Sequence, residues 1–361
     1  MYISSILGYG FIHTIDIRYY VKALTPDNHS IIKFNKNNYP NYTNIYYVSG
    51  GYSPGYFPNK DYEYETAINI YKNVVCTSES VIITTEGFFL IAPSCHPRYV
   101  NKDKALNLNY HYEKYDKVIC LGHQHSHEWG HWSVEVLPGL ISLPDEILKD
   151  SLIALPKIYN FIIDDLDFFG IESSRIIDGL NKPFYAKTLI TLDSVWCGDL
   201  NRDLLLNMRR IVVKYLSLDK TTPHRYVLAN RKPNTPRYIS NFKELLNSVQ
   251  RKFNKYNWEE FQFNTAFAEQ VRYFNSFQLI FAVHGSLLTN ILYMQPNTMV
   301  IELQMEQWLL TFINIATMTG KIYVVGRDNR ISYLKVANNS IHIKYVKQMI
   351  EKAFNLKNNT K

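Results

Sequence analysis

After Lys117 the chain alternates short apolar runs with longer stretches of helical spacing. Residues 118–121 read as a buried strand. Residues 129–143 have helical spacing, 151–155 form another apolar run, and 157–169 read as a helix closed by Gly170. Short strands are expected near 175–177 and 186–191. This β-α-β rhythm predicts a parallel sheet. A break falls at 196–199, after which the alternation is cleaner. Residues 200–217 read as a long helix and 226–228 as a strand. Asn241 is placed to cap a helix running to Lys252. A helix over 267–274, a strand over 279–283, a helix over 287–294 and a strand over 299–303 follow. A helix over 308–318 ends at Gly320, and a strand covers 322–325. A last helix over 341–355 is suited to packing back on the N-terminal domain. The first 115 residues lack this order: Asn/Tyr/Pro-rich turns separate short apolar runs such as 81–84 and 87–91, the pattern of strands and loops.

A chain of 361 residues exceeds the roughly 250–300 residues at which one core stops growing. Two domains are therefore expected, at 1–198 and 199–340, with 341–361 as the terminal helix. With 46% hydrophobic, 20% charged and 14% aromatic residues the chain is globular rather than disordered. The net charge of +7 fits a mildly basic surface or a cleft for a phosphorylated ligand. Cys76, Cys95, Cys120 and Cys197 have no paired spacing and read as reduced core thiols. No run of 18 apolar residues occurs, and the N-terminus lacks the basic and apolar regions of a secretory signal, so the expectation is a cytoplasmic protein without a membrane anchor.

The sharpest local chemistry lies where the 279–283 strand runs into His284-Gly285-Ser286-Leu287-Leu288-Thr289-Asn290. A glycine at this turn lets a ligand approach the backbone, and the first amides of the following helix favour an anion. The next strand carries Glu302, whose carboxylate can accept hydrogen bonds from ribose hydroxyls. These residues point to a nucleoside-diphosphate site, the competing reading being a tight turn without a ligand.

Several segments in order resemble one known family. They are His131-Trp132-x-x-Glu135-x-Leu137-Pro138; Tyr226 to Arg231 with Arg237-x-Ile239-x-Asn241-x-x-Glu244-Leu245; Glu269-Gln270-Val271; His284 to Asn290; and Val300-Ile301-Glu302-Leu303. Together, over residues 118–325, they resemble glycosyltransferase family 61. Glu128 stands where that family often has Asn, and Ser286 and Leu287 where Ala and Gly are usual. The resemblance implies an α/β protein of GT-B type, two Rossmann-like domains facing across a cleft. It also implies an inverting, metal-independent glycosyltransferase that moves a sugar from a nucleoside-diphosphate donor, UDP above all, to a hydroxyl of a glycan or protein. Donor binding falls to Arg231, Arg237, His284, Gly285, Ser286, Leu287, Thr289, Asn290 and Glu302, with no metal and no required cofactor. His131 and Glu135, four apart and so on one helical face, suit a general base and its partner.

Other motifs compete. His127-Glu128-x-x-His131 spells the zinc-hydrolase pattern, with His123 and His125 nearby, but Gly130 weakens a helix there. A catalytically inactive nucleotide-sugar or glycan-binding protein is the non-enzymatic alternative. Asp165-x-Asp167 matches a metal–diphosphate motif, yet Ile158, Phe161, Ile162 and Leu166 fit one helical face, which makes it the solvated end of a helix. Arg209-Arg210, Lys214-Tyr215 and Arg251-Lys252 sit at helical spacing and read as solvated faces, not a nucleic-acid surface.

Overall fold

The computed structural model describes residues 29–33, 45–47, 67–84, 87–90, 112–123, 125–178, 183–192, 200–262, 266–305, 309–331, 336 and 339–359. They fall into two compact units, one within Met1–Asn37 and Tyr62–Leu205, the other within Asn38–Asp61 and Leu206–Lys361. The 196–199 break, Cys95, Cys197 and Trp308 lie outside the described residues.

In the first unit the apolar runs pair into a mixed sheet. β1 (His29–Lys33), β4 (Val81–Thr84) and β5 (Gly87–Leu90) join the long β3 (Ala67–Thr77) as an antiparallel set. β6 (Glu113–Cys120), β7 (Leu152–Leu155), β8 (Ile176–Asp178) and β9 (Phe184–Leu192) form the parallel part. The order is β5-β4-β3-β9-β6-β7-β8, with β1 also on β3 and the antiparallel set joining through β3–β9. The parallel sheet read from 118–191 is therefore present and extended by antiparallel strands from the segment before it. Cys76 and Cys120 are free thiols in this core.

The helix expected over 129–143 comes in pieces: α1 (Trp129–His131), a π turn (Trp132–Val136) and α2 (Leu137–Ile141). Pro138 has no amide proton to continue the ladder, so the register changes there. Trp132 is wholly buried beneath this turn, and its Nε1–H donates to Asp165 Oδ2 at 2.8 Å. Asp165 lies on α4 (Asn160–Phe168), which follows the short α3 (Asp145–Leu148). The solvated reading of Asp165-x-Asp167 thus needs correcting. Asp167 is exposed, but Asp165 is buried on the same side as Ile162 and Leu166, because a carboxylate can accept the indole proton that Trp132 brings inward.

The second unit is built on six parallel strands in the order β11-β10-β12-β13-β14-β2. They are β2 (Ile45–Tyr47), β10 (Arg225–Leu228), β11 (Trp258–Glu260), β12 (Phe277–Val283), β13 (Met299–Gln304) and β14 (Ile322–Arg327). The three central strands are buried nearly end to end, as continuous apolar sequences require when helices cover both faces. The helices are α5 (Arg202–Tyr215), which carries the chain in, α6 (Phe242–Lys252), α7 (Phe267–Asn275), α8 (Thr311–Met318) and α9 (Ile343–Asn359). α9 lies against β13, β14 and α6. Asn241 sits at the start of α6 but does not cap it with its side chain; its amide instead pairs with both the N–H and the C=O of Ile341. Lys214, Arg210, Tyr215, Arg251 and Lys252 are exposed, as the spacing predicts, whereas Arg209 turns inward and donates to the carbonyls of Leu292 and Met294. No described helix is long and apolar enough to cross a membrane.

Burial, with a smaller push from Asp164, raises the Asp165 pKa to about 8 despite the indole bond. A carboxyl whose folded pKa lies above its unfolded value favours folding fully only below the unfolded value, and that advantage is lost as pH climbs through the folded one. Asp165→Asn keeps an acceptor for Trp132 and removes the ionisation. Thermal melts should show the variant more stable than the parent at pH 8–9, by a few degrees for each kcal/mol or so recovered, and near parity at pH 4.

Candidate functional site

In the second unit the backbone leaves β12 at Val283, passes His284 and Gly285, and enters a 3₁₀ segment, Ser286–Tyr293. An α-helix was expected here. The Thr289 hydroxyl and the Asn290 amide donate back to the carbonyls of Ser286 and Leu287, three residues earlier, which favours the tighter winding. Thr289 and Asn290 are buried, while Ser286 and Leu287 are half-buried.

His284 is 6% exposed, and its Nδ1 lies 2.5 Å from Glu302 Oε1. Nδ1 thus faces the acid, and Nε2 is the nitrogen not committed to it. The other oxygen of Glu302 accepts from Gln304 Nε2 at 2.6 Å and from the Tyr323 hydroxyl at 2.7 Å. Glu302 has no exposed surface, and three protein groups engage it. The carboxylate for which a ribose contact is expected is thus engaged by His284, Gln304 and Tyr323. Tyr323 and Gln304 were not singled out in the sequence, since strand alternation says nothing of a shared acceptor.

Two guanidiniums gather at the same turn. A methyl group on Gly285 would stand 3.6 Å from Arg237 Nη1 and 3.8 Å from Arg231 Cζ. Arg237 Nη1 donates to the His284 carbonyl at 3.0 Å, and Arg231 Nη1 to the Pro236 carbonyl at 3.2 Å. Arg231 lies three residues beyond β10, on a loop rather than on the strand. That loop is closed by Asn230, whose amide pairs with both the N–H and the C=O of Ile239 and also accepts from the Arg231 N–H. Arg237 has φ 68, a left-handed conformation that costs a side-chain-bearing residue about 1 kcal/mol or more. The closed loop holds it there.

The first unit carries a second imidazole–carboxylate pair. His131 Nδ1 is 2.8 Å from Glu135 Oε1 across the α1–π junction, and His123 Nε2 is 3.0 Å from Glu135 Oε2. The His123 ring is buried, and its Nε2 faces this oxygen without an aligned hydrogen bond. Burial alone would raise the Glu135 pKa, but the two imidazoles outweigh it and hold the carboxyl at about 2. Burial pulls His131 down, yet the hydrogen bond and charge of Glu135, with the charge of Glu128, leave its pKa above the ordinary imidazole value. The His125 ring stacks on His131 at 5.2 Å.

The zinc-hydrolase pattern is not assembled. α1 begins at Trp129, so His127 lies on the preceding turn, where its ring meets Tyr159. Glu128 faces His125 at 2.8 Å. His123, His131 and Glu135 do offer ligand atoms within 4.8 Å of one another. However, His123 Nδ1 accepts the His125 amide at 3.2 Å, whereas a metal-bound imidazole donates from its second nitrogen. The arrangement suits a hydrogen-bonded chain better than a ligand set.

Residues 129–301 match the family model described as Glycosyltransferase 61. No curated protein matches the chain.

Glu302 links three buried polar groups, so its loss leaves all of them without their acid. Glu302→Leu should cost about 3–5 kcal/mol, as breaking a buried charged pair does, in chemical denaturation, with Glu302→Gln well short of that loss.

Proposed function

We propose, from the premise that this glycosyltransferase belongs to family 61, that it is an inverting, metal-independent enzyme using a UDP-sugar. The two-Rossmann-domain GT-B plan is part of the proposal, supported by a parallel-rich sheet in each unit. As a glycosyltransferase the chain takes a sugar donor and an acceptor. The observation that carries the finer reading is the pair of guanidiniums over Gly285 at the carboxyl end of a buried parallel strand. A departing nucleoside diphosphate needs positive charge, and Arg231 and Arg237 supply it without a metal. With Nδ1 on Glu302, His284 adds an N–H donor when its Nε2 is also protonated, and the Ser286 and Leu287 amides complete the anion site. Thr289 and Asn290 shape the turn through their backbone bonds.

His131 is the proposed base. Glu135 holds the Nδ1 proton, which leaves Nε2 to take the acceptor's hydroxyl proton as the sugar is attacked from the face opposite the diphosphate. Glu135 also stabilises the imidazolium that forms.

A thermal-shift and turnover screen over nucleotide sugars tests the donor, with the product anomer read by NMR. Stabilisation by UDP, an inverted anomer and turnover unchanged by chelator are expected. Stabilisation by another diphosphate alone, or activity abolished by chelator, overturns the corresponding part. His131→Ala should cut kcat by about 10²–10⁴ with little change in donor KM; unchanged turnover would refute the base role. Because Glu135 raises the His131 pKa, Glu135→Gln should move the acid limb of the kcat profile to lower pH while lowering its plateau.

A further inference from the structure

We infer that His123 is a positioning residue, which pins Glu135 so that its other oxygen stays on His131. The inference rests on the reading of His131 as the base and deepens it. His123 reaches Glu135 from a turn before the helical segment, not from the segment that carries the other two residues.

Three features make this side chain rigid. β6 ends at Cys120, and at Gly122 a Cβ would fall 2.6 Å from both Pro156 Cδ and the Ser78 carbonyl, so the chain passes where only glycine fits. The turn is then tied at Ser126, whose N–H and hydroxyl both donate to the His123 carbonyl, at 2.9 and 2.6 Å. The ring itself is fixed by the His125 amide on Nδ1. An accepting Nδ1 puts the ring proton on Nε2, 3.0 Å from Glu135 Oε2. Among the described residues the buried Nε2 has no aligned hydrogen-bond partner, and this carboxylate is the acceptor beside it. Contacts of this kind commonly align only in the substrate complex.

The carboxylate therefore stands between two imidazoles with different duties. His131 is the more exposed and presents the reactive nitrogen. His123 is buried, and among the described residues its Nε2 faces Glu135. Without His123 one oxygen loses its anchor, the carboxylate can rotate, and the Nδ1–H form of His131 is no longer enforced. The groups facing His131 in this region are Glu135, His123, the stacked His125, and Glu128 through its charge.

The test follows the His131 imidazole by nitrogen-15 NMR in the full chain, with His123→Leu, His123→Gln and Ser126→Ala. Glutamine can return an N–H donor near Oε2, and Ser126→Ala loosens the turn without touching Glu135. Expected are an Nδ1–H tautomer in the parent, its loss in His123→Leu with titration moving towards the ordinary imidazole value, retention in His123→Gln, and partial loss in Ser126→Ala. Turnover of His123→Leu should fall about tenfold, the worth of one hydrogen bond to a charged group, with donor KM unchanged. His123→Leu with the parent's tautomer and titration overturns the inference, as does His123→Gln failing to restore them while melting like the parent. Failure of the base reading is separate: it shows as unchanged turnover in His131→Ala, and the NMR readout still decides whether His123 positions the pair.

Discussion

A carboxylate that gives up water must find protons elsewhere, and both halves of this protein answer that demand with histidine. Glu135 and Glu302 are each gripped through one oxygen by an imidazole Nδ1, at 2.8 and 2.5 Å. The second oxygen is engaged too, by His123 in one unit and by Gln304 and Tyr323 in the other. An acid so surrounded cannot wander. Its rigidity passes to the histidine, which has a single tautomer and a single ring orientation available. The chemistry proposed for His131 depends on that property, since a base must present the correct nitrogen before the substrate arrives.

Much of the scaffold was legible because burial on both faces leaves a continuous apolar signature. The sequences that became β12, β13 and β14 stand out for that reason, and Gly170 and Gly320 end their helices with φ 72 and 68. What escaped the pattern were departures set by individual side chains. Apolar spacing cannot distinguish the 3₁₀ winding of Ser286–Tyr293 from an α-helix; the deciding bonds come from Thr289 and Asn290. Asn241 has the composition of a cap, yet its amide found a better match in the backbone of Ile341, a hundred residues away. No local rule contains such a partner.

The candidate site was legible in identity more than in role. His131, Glu135, His284 and Glu302 were named from the sequence, and each is found in an imidazole–carboxylate pair. The pairing of Glu302 with His284 was not foreseen, because a carboxylate at the end of a buried strand suits a ribose equally well until its burial is known. Asp165 shows the same limit from the other side. Its spacing suggested solvent, and only the indole of Trp132, 33 residues earlier, accounts for a buried acid there.

Sugar transfer asks for two opposite electrostatic settings, one that draws a proton from a hydroxyl and one that tolerates a departing diphosphate. In the proposed reaction the two settings come from different units. The carboxylate-backed His131 belongs to the first, where Glu135 and Glu128 raise its affinity for a proton. Arg231 and Arg237 belong to the second, gathered over a glycine that keeps the backbone open to an anion. Each unit tunes its own group through its own contacts: the raised imidazole in the first, the left-handed Arg237 in the second. The residues that do the tuning are His123, Asn230, Gln304 and Tyr323.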